Sequence, residues 1–454
     1  MVFSELLQRF VDQRPIAVMT RIVLEKQFSD QFYDMVFENI AQRQYVRELA
    51  FSTCAKIMTQ VVLGKASSVH AAFVQDRKSI PVSVGSLYEK LQHIEPAVCE
   101  ELVRRSASDL NEVVGFLSKR QEPIAGYRLR IVDGNVLAAS EHRLKELRGS
   151  AVAAMPGLNL VLYDYATGLI SALVACEEGQ ASERPLFRQL LPRISPGDLI
   201  LLDRNFCTSE VMLGIRAAQA AFLVRHHAGL ALIPDGPRRK AGKCRTGKVA
   251  TQMVRLKCGM RCRAIIITRD KPLKNGGRRV ILLTNLPRKN ATPRRLAELY
   301  LKRWSIEEAF RQLTEYLSCE VRTLGYPKAA LFAFTLAVLA YNTLTCIQGA
   351  LDAAQPASVG QWSAFYLAWE VRITFEGMQV ALPEDEWQPF AKMDNKTLAG
   401  VLRDIGAKVD HARYAKHPRS AKKKVERKKM KSYHVSTAKL LKERELQKNN
   451  AATK

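Results

Sequence analysis

The sequence is poor in the features that mark exported, disulfide-stabilised or membrane-spanning proteins. Its nine cysteines form no regular framework, which is typical of reduced thiols. Cys244, Cys258 and Cys262 have no well-spaced fourth ligand, which argues against structural zinc. The start, MVFSELLQRFVDQRP, contains no continuous apolar h-region, and the apolar run at 329–340 is too short for a bilayer core of about 30 Å. We therefore expect a cytoplasmic protein with a buried helix at 329–340 and no membrane partner.

Acidic residues are scarce in two stretches of the chain, and both stretches are strongly basic. The whole chain has 70 Lys and Arg residues against 44 Asp and Glu, a net charge of +26. Residues 225–295 hold 20 basic residues and two acids, and residues 411–454 hold 15 and three, so the other 339 residues carry a net charge of −4. Two basic segments on a near-neutral body indicate a polyanion bound in two places. Nucleic acid fits best, and an anionic membrane surface is the weaker alternative.

The first 125 residues have helical periodicity with breaks at Pro15, Pro81 and Pro96, and we expect a helical domain there. Within it, SIPVSVGSLYEKLQHI places a turn at Gly85 before an amphipathic helix. That arrangement is compatible with a helix-turn-helix DNA reader. Two packed helices with a glycine turn are also common in helical domains of other function.

Short apolar runs separated by turns begin at Tyr127. The predicted elements follow in the order β-β-β-α-β-α-β, with strands at 127–132, 158–163, 169–175, 198–203 and 221–224 and helices at 182–191 and 209–220. This order predicts an α/β domain in which the first and fourth strands can lie side by side.

A Lys-, Arg- and Gly-rich segment with alternating runs interrupts this pattern and indicates a basic β-rich insertion. Helical sequence then returns, and a basic tail with clusters at 422–424 and 427–429 follows. We therefore expect a helical N-terminal DNA-binding domain (1–125), an α/β core in two pieces (126–227 and 287–325), the insertion (228–286), a helical C-terminal region (326–410) and the tail (411–454).

One predicted helix, LYLKRWSIEEAFRQL, carries the chemistry expected of the core. At about 100° per residue, its apolar residues form one stripe, with Tyr300, Arg303, Glu307 and Arg311 along the edge and Glu308 towards solvent. A carboxylate at the border of a packed face is held rigidly and still reaches a cleft, so Glu307 is the better candidate of the adjacent pair. Taken alone, the stretch also fits an ordinary amphipathic helix with an Arg303–Glu307 ion pair.

Two aspartates complete an acid set with this helix. Asp133 follows the first predicted strand and Asp203 ends the fourth, so the two can meet at the centre of the sheet, with Glu307 approaching from a covering helix. Carboxylates suit Mg²⁺, with Mn²⁺ as the alternative ion, and two such ions can stabilise the attacking and leaving oxygens in phosphoryl transfer. Each aspartate alone fits ordinary turn chemistry. Their joint placement beside a basic segment indicates metal-dependent phosphoryl transfer on nucleic acid.

Three motifs carry a resemblance to a known family. VDGNVL around Asp133, LLDRNF around Asp203, and the spacing Tyr300-x2-Arg303-x3-Glu307 resemble the motifs of bacterial insertion-sequence DDE transposases with the Y-R-E-K signature, the insertion sequence four type. The resemblance implies an α/β fold: an RNase H-like mixed sheet with flanking helices, interrupted by a β-rich insertion, plus helical N-terminal and C-terminal regions.

The same resemblance implies roles for these residues. Asp133, Asp203 and Glu307 would be the catalytic acids of a two-metal site, and Tyr300 and Arg303 would hold DNA near the cleaved end. The protein would bind terminal inverted repeats of double-stranded DNA, cleave by metal-dependent hydrolysis and join the 3′ hydroxyl to target DNA, by cut-and-paste with a hairpin intermediate. Synapsis implies self-association to at least a dimer, and a bacterial, nucleoid-associated location follows.

One position departs from the signature. The lysine expected seven residues after the glutamate is Thr314, and Arg311, one turn after Glu307, could supply the positive charge for DNA binding. The insertion also contains no Trp, which some relatives use to stack a flipped base. Two other functions stay open: a metal-dependent nuclease on the same scaffold, which would cut but not join DNA, and a non-catalytic DNA-binding protein.

Overall fold

The structure is a computed structural model, and it describes residues 3–44, 48–137, 157–273, 276–321 and 323–417. The basic clusters expected in the tail, at 422–424 and 427–429, lie outside the described residues. The elements below therefore belong to the chain from the N-terminal helices to the start of the tail.

Helices make up the described chain ahead of the sheet. They are α1 (Glu5–Gln13), α2 (Pro15–Gln27), α3 (Asp30–Ile40), α4 (Phe51–Val62), α5 (Val69–Gln75), α6 (Val84–His93) and α7 (Pro96–Gly115). The hydroxyls of Ser4, Ser29, Ser68 and Ser83 accept free N–H groups at the starts of α1, α3, α5 and α6. Prolines open α2 and α7. The helical periodicity of this region is borne out.

The glycine turn expected before α6 is absent from the described chain. Gly85 lies inside the first turn of α6, because Ser83 already caps the helix and accepts the N–H of Ser86 at 3.1 Å. A short 3-10 helix, Arg77–Ser79, precedes it. The prediction of a turn at Gly85 was therefore wrong, because a serine cap outweighs the helix-breaking tendency of a glycine two residues later.

The strands form one mixed sheet. They are β1 (Arg128–Val136), β2 (Leu158–Asp164), β3 (Ile170–Cys176), β4 (Asp198–Leu202), β5 (Ala221–Arg225), β6 (Ile233–Pro234), β7 (Arg239–Cys244), β8 (Gly247–Arg255), β9 (Arg261–Arg269) and β10 (Arg279–Thr284). Their order is β3-β2-β1-β4-β5-β10-β9-β8-β6, with β7 paired to β8. The pairs β1–β4 and β4–β5 are parallel and the others are antiparallel. This order confirms the expected mixed sheet with its first and fourth strands adjacent.

The basic insertion continues the sheet of the core. Its last strand, β10, pairs with β5, with Leu283 opposite Val224 and Thr284 opposite Leu223. The alternating runs at 252–256 and 263–268 and the run at 280–284 correspond to β8, β9 and β10, with only Leu256 beyond the end of β8. The insertion strands therefore reach the acid-bearing strands β1 and β4 through a continuous hydrogen-bonded ladder.

The remaining helices flank or follow the sheet. They are α8 (Glu183–Leu190), α9 (Ser209–Ala217), α10 (Pro293–Leu299), α11 (Trp304–Tyr316), α12 (Pro327–Ala354), α13 (Ala364–Ala381), α14 (Gln388–Ala391), α15 (Asn395–Ala407) and α16 (His411–Tyr414). Thr292 caps the start of α10, since its hydroxyl accepts the N–H of Arg295 at 3.3 Å.

The helix expected through residues 299–313 is interrupted. A 3-10 turn, Tyr300–Arg303, separates α10 from α11. Within this turn the Tyr300 hydroxyl donates to the carbonyl of Leu202 at the end of β4, at 3.2 Å. A tertiary anchor of this kind favours a tighter local turn, and hydrophobic periodicity cannot report it. The prediction of one continuous helix was wrong at this point.

Helix α12 lies in the protein core. It is long and apolar enough to cross a membrane by composition, with a mean hydropathy of 1.8, but 83% of its most apolar window is buried inside the protein. The expectation of a buried helix at 329–340 is thus confirmed. The side-chain amide of Asn342 in α12 donates to the carbonyl of Ile170 and accepts its N–H, both at 2.9 Å. Glu100 of α7 accepts the N–H of Ala175 at 3.0 Å, so two helices bind the outer edge of β3.

Candidate active site

Asp133 and Asp203 lie at the same end of two neighbouring parallel strands. The β1–β4 pairing ends with Ile131 opposite Leu201, and Asp203 directly follows β4. Asp133 does not end its strand as expected, because β1 continues to Val136 by pairing with β2. Beyond Ile131 one side of β1 is therefore no longer occupied by β4, and Asp133 stands at this opening.

Glu307 is connected to Asp133 by an arginine. The guanidinium of Arg303 donates from Nη1 to Asp133 Oδ2 at 3.0 Å and from Nη2 to Glu307 Oε1 at 2.5 Å. The Arg303 side chain is only 13% exposed, so solvent screens this bridge weakly. Glu308 is exposed and pairs instead with Arg311. The structure thus brings Asp133, Arg303 and Glu307 together and leaves Glu308 outside.

Tyr300 sits under the same edge of the sheet. Its hydroxyl donates to the carbonyl of Leu202, the last residue before Asp203. Burial raises the pKa of Tyr300 well above its usual value, so the phenol is a neutral hydrogen-bond donor at physiological pH. In this conformation the ring supports the loop that carries Asp203.

Arg311 is not brought to the acids. Its guanidinium contacts Glu308, donates to Glu315 Oε2 at 2.7 Å and donates to the Tyr316 hydroxyl at 3.0 Å. Thr314, which stands at the signature's lysine position, is exposed. These contacts place Arg311 on the outward side of α11.

Glu183 was missed by the sequence reasoning and lies with the two aspartates. It opens α8, and its Oε2 accepts from the side-chain amide of Asn205 at 2.5 Å. The backbone N–H of Asn205 in turn donates to Asp203 Oδ1 at 2.5 Å. One sequence signal could have found it: the short connection between the predicted strands at 158–163 and 169–175 favours an antiparallel pair, so the helix after β3 begins at the same end of the sheet as Asp133 and Asp203.

Gly134 makes room for Glu183. A Cβ on Gly134 would lie 1.9 Å from Glu183 Oε1, so any other residue here would push the carboxylate away. The glycine after Asp133 thus lets the Glu183 carboxylate lie against β1 in this conformation.

The three neighbouring carboxylates repel one another. Burial raises the pKa of Asp133 to about 7; Arg303 opposes this shift, and the charges of Asp203 and Glu183 add to it. Burial likewise raises the pKa of Glu183, with the Asn205 hydrogen bond opposing and the Asp203 charge adding. The acid cluster is therefore electrostatically unfavourable without added positive charge.

The donor set fits a divalent cation in its chemistry. Asp133, Asp203, Glu183 and Glu307 all present hard carboxylate oxygens, which Mg²⁺ and Mn²⁺ prefer. In the described chain no three Asp, Glu, His or Cys side chains stand close enough to hold an ion as they are oriented. The cation that contacts Asp133 and Glu307 in this conformation is the guanidinium of Arg303.

A basic cleft adjoins the acids. It has a volume of about 230 Å³, and its lining includes Asp203, Arg225, Arg303, Trp304 and, from the insertion strand β9, Arg269. Trp304 is 61% exposed at this position. Cationic and aromatic side chains beside a carboxylate cluster are the groups that bind phosphates and stack on bases.

Comparison with known proteins agrees with this geometry. Residues 124–343 match the family model of the transposase DDE domain. No curated protein sequence matches the chain. Among solved structures, the chain is similar to a piggyBac transposase synaptic complex with hairpin DNA, at a TM-score of 0.37 and 9% identity, with 89% of this chain and 85% of that chain covered.

The matched segment begins just before β1 and ends within α12. It therefore contains Asp133, Glu183, Asp203, Arg303 and Glu307 together with the whole insertion. This segment, 220 of the chain's 454 residues, is therefore similar to a transposase DDE domain.

Proposed function

We propose that the protein is an insertion-sequence transposase of the Y-R-E-K type that cuts DNA at element ends and joins the ends to a target. The observation that carries the proposal is the Asp133–Arg303–Glu307 bridge beside Asp203, inside a segment that matches the transposase DDE domain. The tyrosine, arginine and glutamate of the signature spacing all lie at this end of the sheet.

The residues have distinct roles in the proposed reaction. Asp133, Asp203 and Glu307 would hold Mg²⁺, or Mn²⁺ in its place, as a two-ion centre that activates water and stabilises charge on the phosphate oxygens. Arg303 and Tyr300 hold the DNA near the scissile phosphate. Arg311 lies farther along α11 and contacts the DNA backbone.

The proposed pathway is cut-and-paste. The protein binds the terminal inverted repeats and hydrolyses one strand to release a 3′ hydroxyl. That hydroxyl attacks the opposite strand, displaces the flanking DNA and forms a hairpin at the element end. A second hydrolysis opens the hairpin and regenerates the 3′ hydroxyl, which attacks a target phosphodiester and displaces a target 3′ hydroxyl as it joins. Two ends are held by a dimer in the synaptic complex, in the bacterial cytoplasm at the nucleoid. The exposed cations of the insertion strands support duplex binding, because neutralised phosphates release counterions.

The test is a cleavage and joining assay with Mg²⁺ on a duplex that bears the element's own end. Wild type is compared with Glu307→Gln and with Glu308→Gln, the matched control on the outward side of α11. We expect Glu307→Gln to lose cutting while it keeps DNA binding, and Glu308→Gln to act like wild type.

Other outcomes select the alternatives. Cutting without joining of the cut end would identify a metal-dependent nuclease on the same scaffold. DNA binding by the wild type without any cutting would identify a non-catalytic DNA-binding protein. Wild-type activity in Glu307→Gln would remove Glu307 from the site.

A further inference from the structure

Glu183 occupies a place that three elements build for a carboxylate. It opens α8, its Oε1 lies against Gly134 of β1, and its Oε2 accepts from Asn205 after β4. The space beside Gly134 exists only because that residue has no Cβ. Contacts with Gly134 and Asn205 therefore hold the Glu183 carboxylate in a defined position next to Asp133; this position is called the seat of Glu183 below.

Asn205 connects Glu183 to Asp203. Asn205 gives its side-chain amide to Glu183 and its backbone N–H to Asp203, each at 2.5 Å. Arg184, the next residue of α8, donates from Nε to the Asn205 carbonyl at 2.7 Å. The start of α8 thus holds Asn205 from both sides, and Asn205 fixes the orientation of the Asp203 carboxylate.

A purely structural role would not need a charge at this position. A glutamine could accept the same hydrogen bond from Asn205, and it would not repel Asp133 and Asp203. Glu183 is half-buried, and an acid partly withdrawn from water beside two other acids destabilises the folded protein unless a cation compensates it. Charged groups that destabilise the free protein are characteristic of functional sites.

We propose that Glu183 is a fourth functional acid of this centre: its charge contributes to binding the divalent cation, and its hydrogen bond to Asn205 positions Asp203. This inference rests on the proposed function, because the cation is needed only if the site cleaves DNA. It adds a residue outside the three acids of the motif, contributed by the helix that follows β3.

The decisive variant is Glu183→Gln, which keeps the hydrogen-bond acceptor and removes the charge. Glu183→Ala removes both, and Glu178→Gln is the matched control, an exposed acid in the same β3–α8 connection. Each protein is measured for thermal unfolding in EDTA, for Mn²⁺ binding by the loss of the free-ion EPR signal, and for cleavage and binding of the element-end duplex.

We expect Glu183→Gln to unfold at a higher temperature than wild type in EDTA, because the repulsion is gone and the hydrogen bond remains. Its Mn²⁺ affinity and its cleavage rate should each fall at least tenfold, with DNA affinity within twofold of wild type. Glu178→Gln should match wild type in all four measurements.

A second substitution tests the seat without changing the acid. Gly134→Ala places a Cβ where Glu183 Oε1 lies and should displace the carboxylate from Asn205. We expect weaker Mn²⁺ binding, in the same direction as Glu183→Gln.

Three results would overturn the proposal. The first is wild-type Mn²⁺ binding and cleavage in Glu183→Gln. The second is a defect in Glu183→Ala alone, which would reduce Glu183 to a structural hydrogen bond. The third is a lower unfolding temperature for Glu183→Gln than for wild type. A wild-type protein that never cleaves would instead defeat the proposed function, so the two failures are distinguishable.

Discussion

The two halves of the sheet, β1 to β5 and β6 to β10, differ in pairing and in charge. The first half contains both parallel pairings, and all five residues of β4 are buried. The second half is antiparallel throughout, with exposed cations along β7. Parallel strands are covered on both faces, whereas antiparallel strands can leave one face in water.

This difference separates two tasks within one sheet. The buried half fixes the acids, because its strands cannot shift without breaking the core. The exposed half, named for the exposed cations of β7, presents those cations to solvent. The cleft that contains both Asp203 and Arg269 is lined from both halves.

The largest effect should follow from neutralising one acid of the buried half. Asp203→Asn keeps an oxygen acceptor for the N–H of Asn205 but loses the charge, so we expect cleavage to fall at least about 100-fold with unchanged DNA binding. Single-turnover cleavage measures this. The control is Asp270→Asn, an exposed acid of the insertion paired with Lys243 at 3.4 Å; equal losses in both variants would erase the contrast between the halves.

Packing should be the next largest difference. Leu201 in β4 is fully buried, and Leu201→Ala should lower the free energy of unfolding by about 2–5 kcal/mol, because apolar packing is removed and a cavity remains. Ile233 in β6 is 50% exposed, and Ile233→Ala should change the free energy of unfolding by less than about 1 kcal/mol. Urea unfolding measures both, and similar costs would show that the insertion is as tightly packed as the core.

Cations of the exposed half should control affinity rather than chemistry. We expect the triple substitution Arg239→Gln, Lys240→Gln and Lys243→Gln to weaken duplex binding about tenfold. The slope of the logarithm of the binding constant against the logarithm of the salt concentration should also become shallower by about 0.9 for each phosphate that the variant no longer neutralises. Cleavage at saturating DNA should be retained. Fluorescence anisotropy over a salt series measures this, with Arg188→Gln, an exposed arginine of α8, as control; an unchanged salt slope would contradict it.

The last effect concerns the pH dependence of stability. An Asp in an unfolded chain has a pKa near 3.9, and Asp133 has a folded pKa of about 7. Between these values the folded state binds the extra proton, so stability falls as pH rises from about 4 to 7. In EDTA, the free energy of unfolding of Asp133→Asn, measured with urea, should change less steeply with pH than that of wild type. The two slopes should differ by at most about 1.4 kcal/mol per pH unit. Parallel curves for the two proteins would show that Asp133 titrates normally.

Local sequence patterns predicted most helices and strands, because secondary structure depends largely on residues that are close together in the chain. The strands around Asp133 and Asp203 were foreseeable in this way. The break at Tyr300 was not, because it depends on a hydrogen bond to Leu202, 98 residues away in the chain.

The site itself was only partly foreseeable. Strand order was enough to place Asp133 beside Asp203, and helix geometry was enough to separate Glu307 from Glu308. The position of Glu183 depends on a glycine in β1 and an asparagine after β4, and no single stretch of sequence encodes that contact. Arg311 shows the converse limit, since helical spacing alone could not tell which of its neighbours would bind its guanidinium.

The outer edge of β3 has a consequence for how the chain folds. Its backbone groups are bound by Asn342 and Glu100, and Asn342 lies 172 residues beyond Ile170. During synthesis the edge strand therefore emerges long before α12 can close it, and an open strand edge is a template for aggregation. Contacts this distant in sequence form slowly. Docking of α12 is thus the step that ends the period in which a nascent chain is most vulnerable to misassembly.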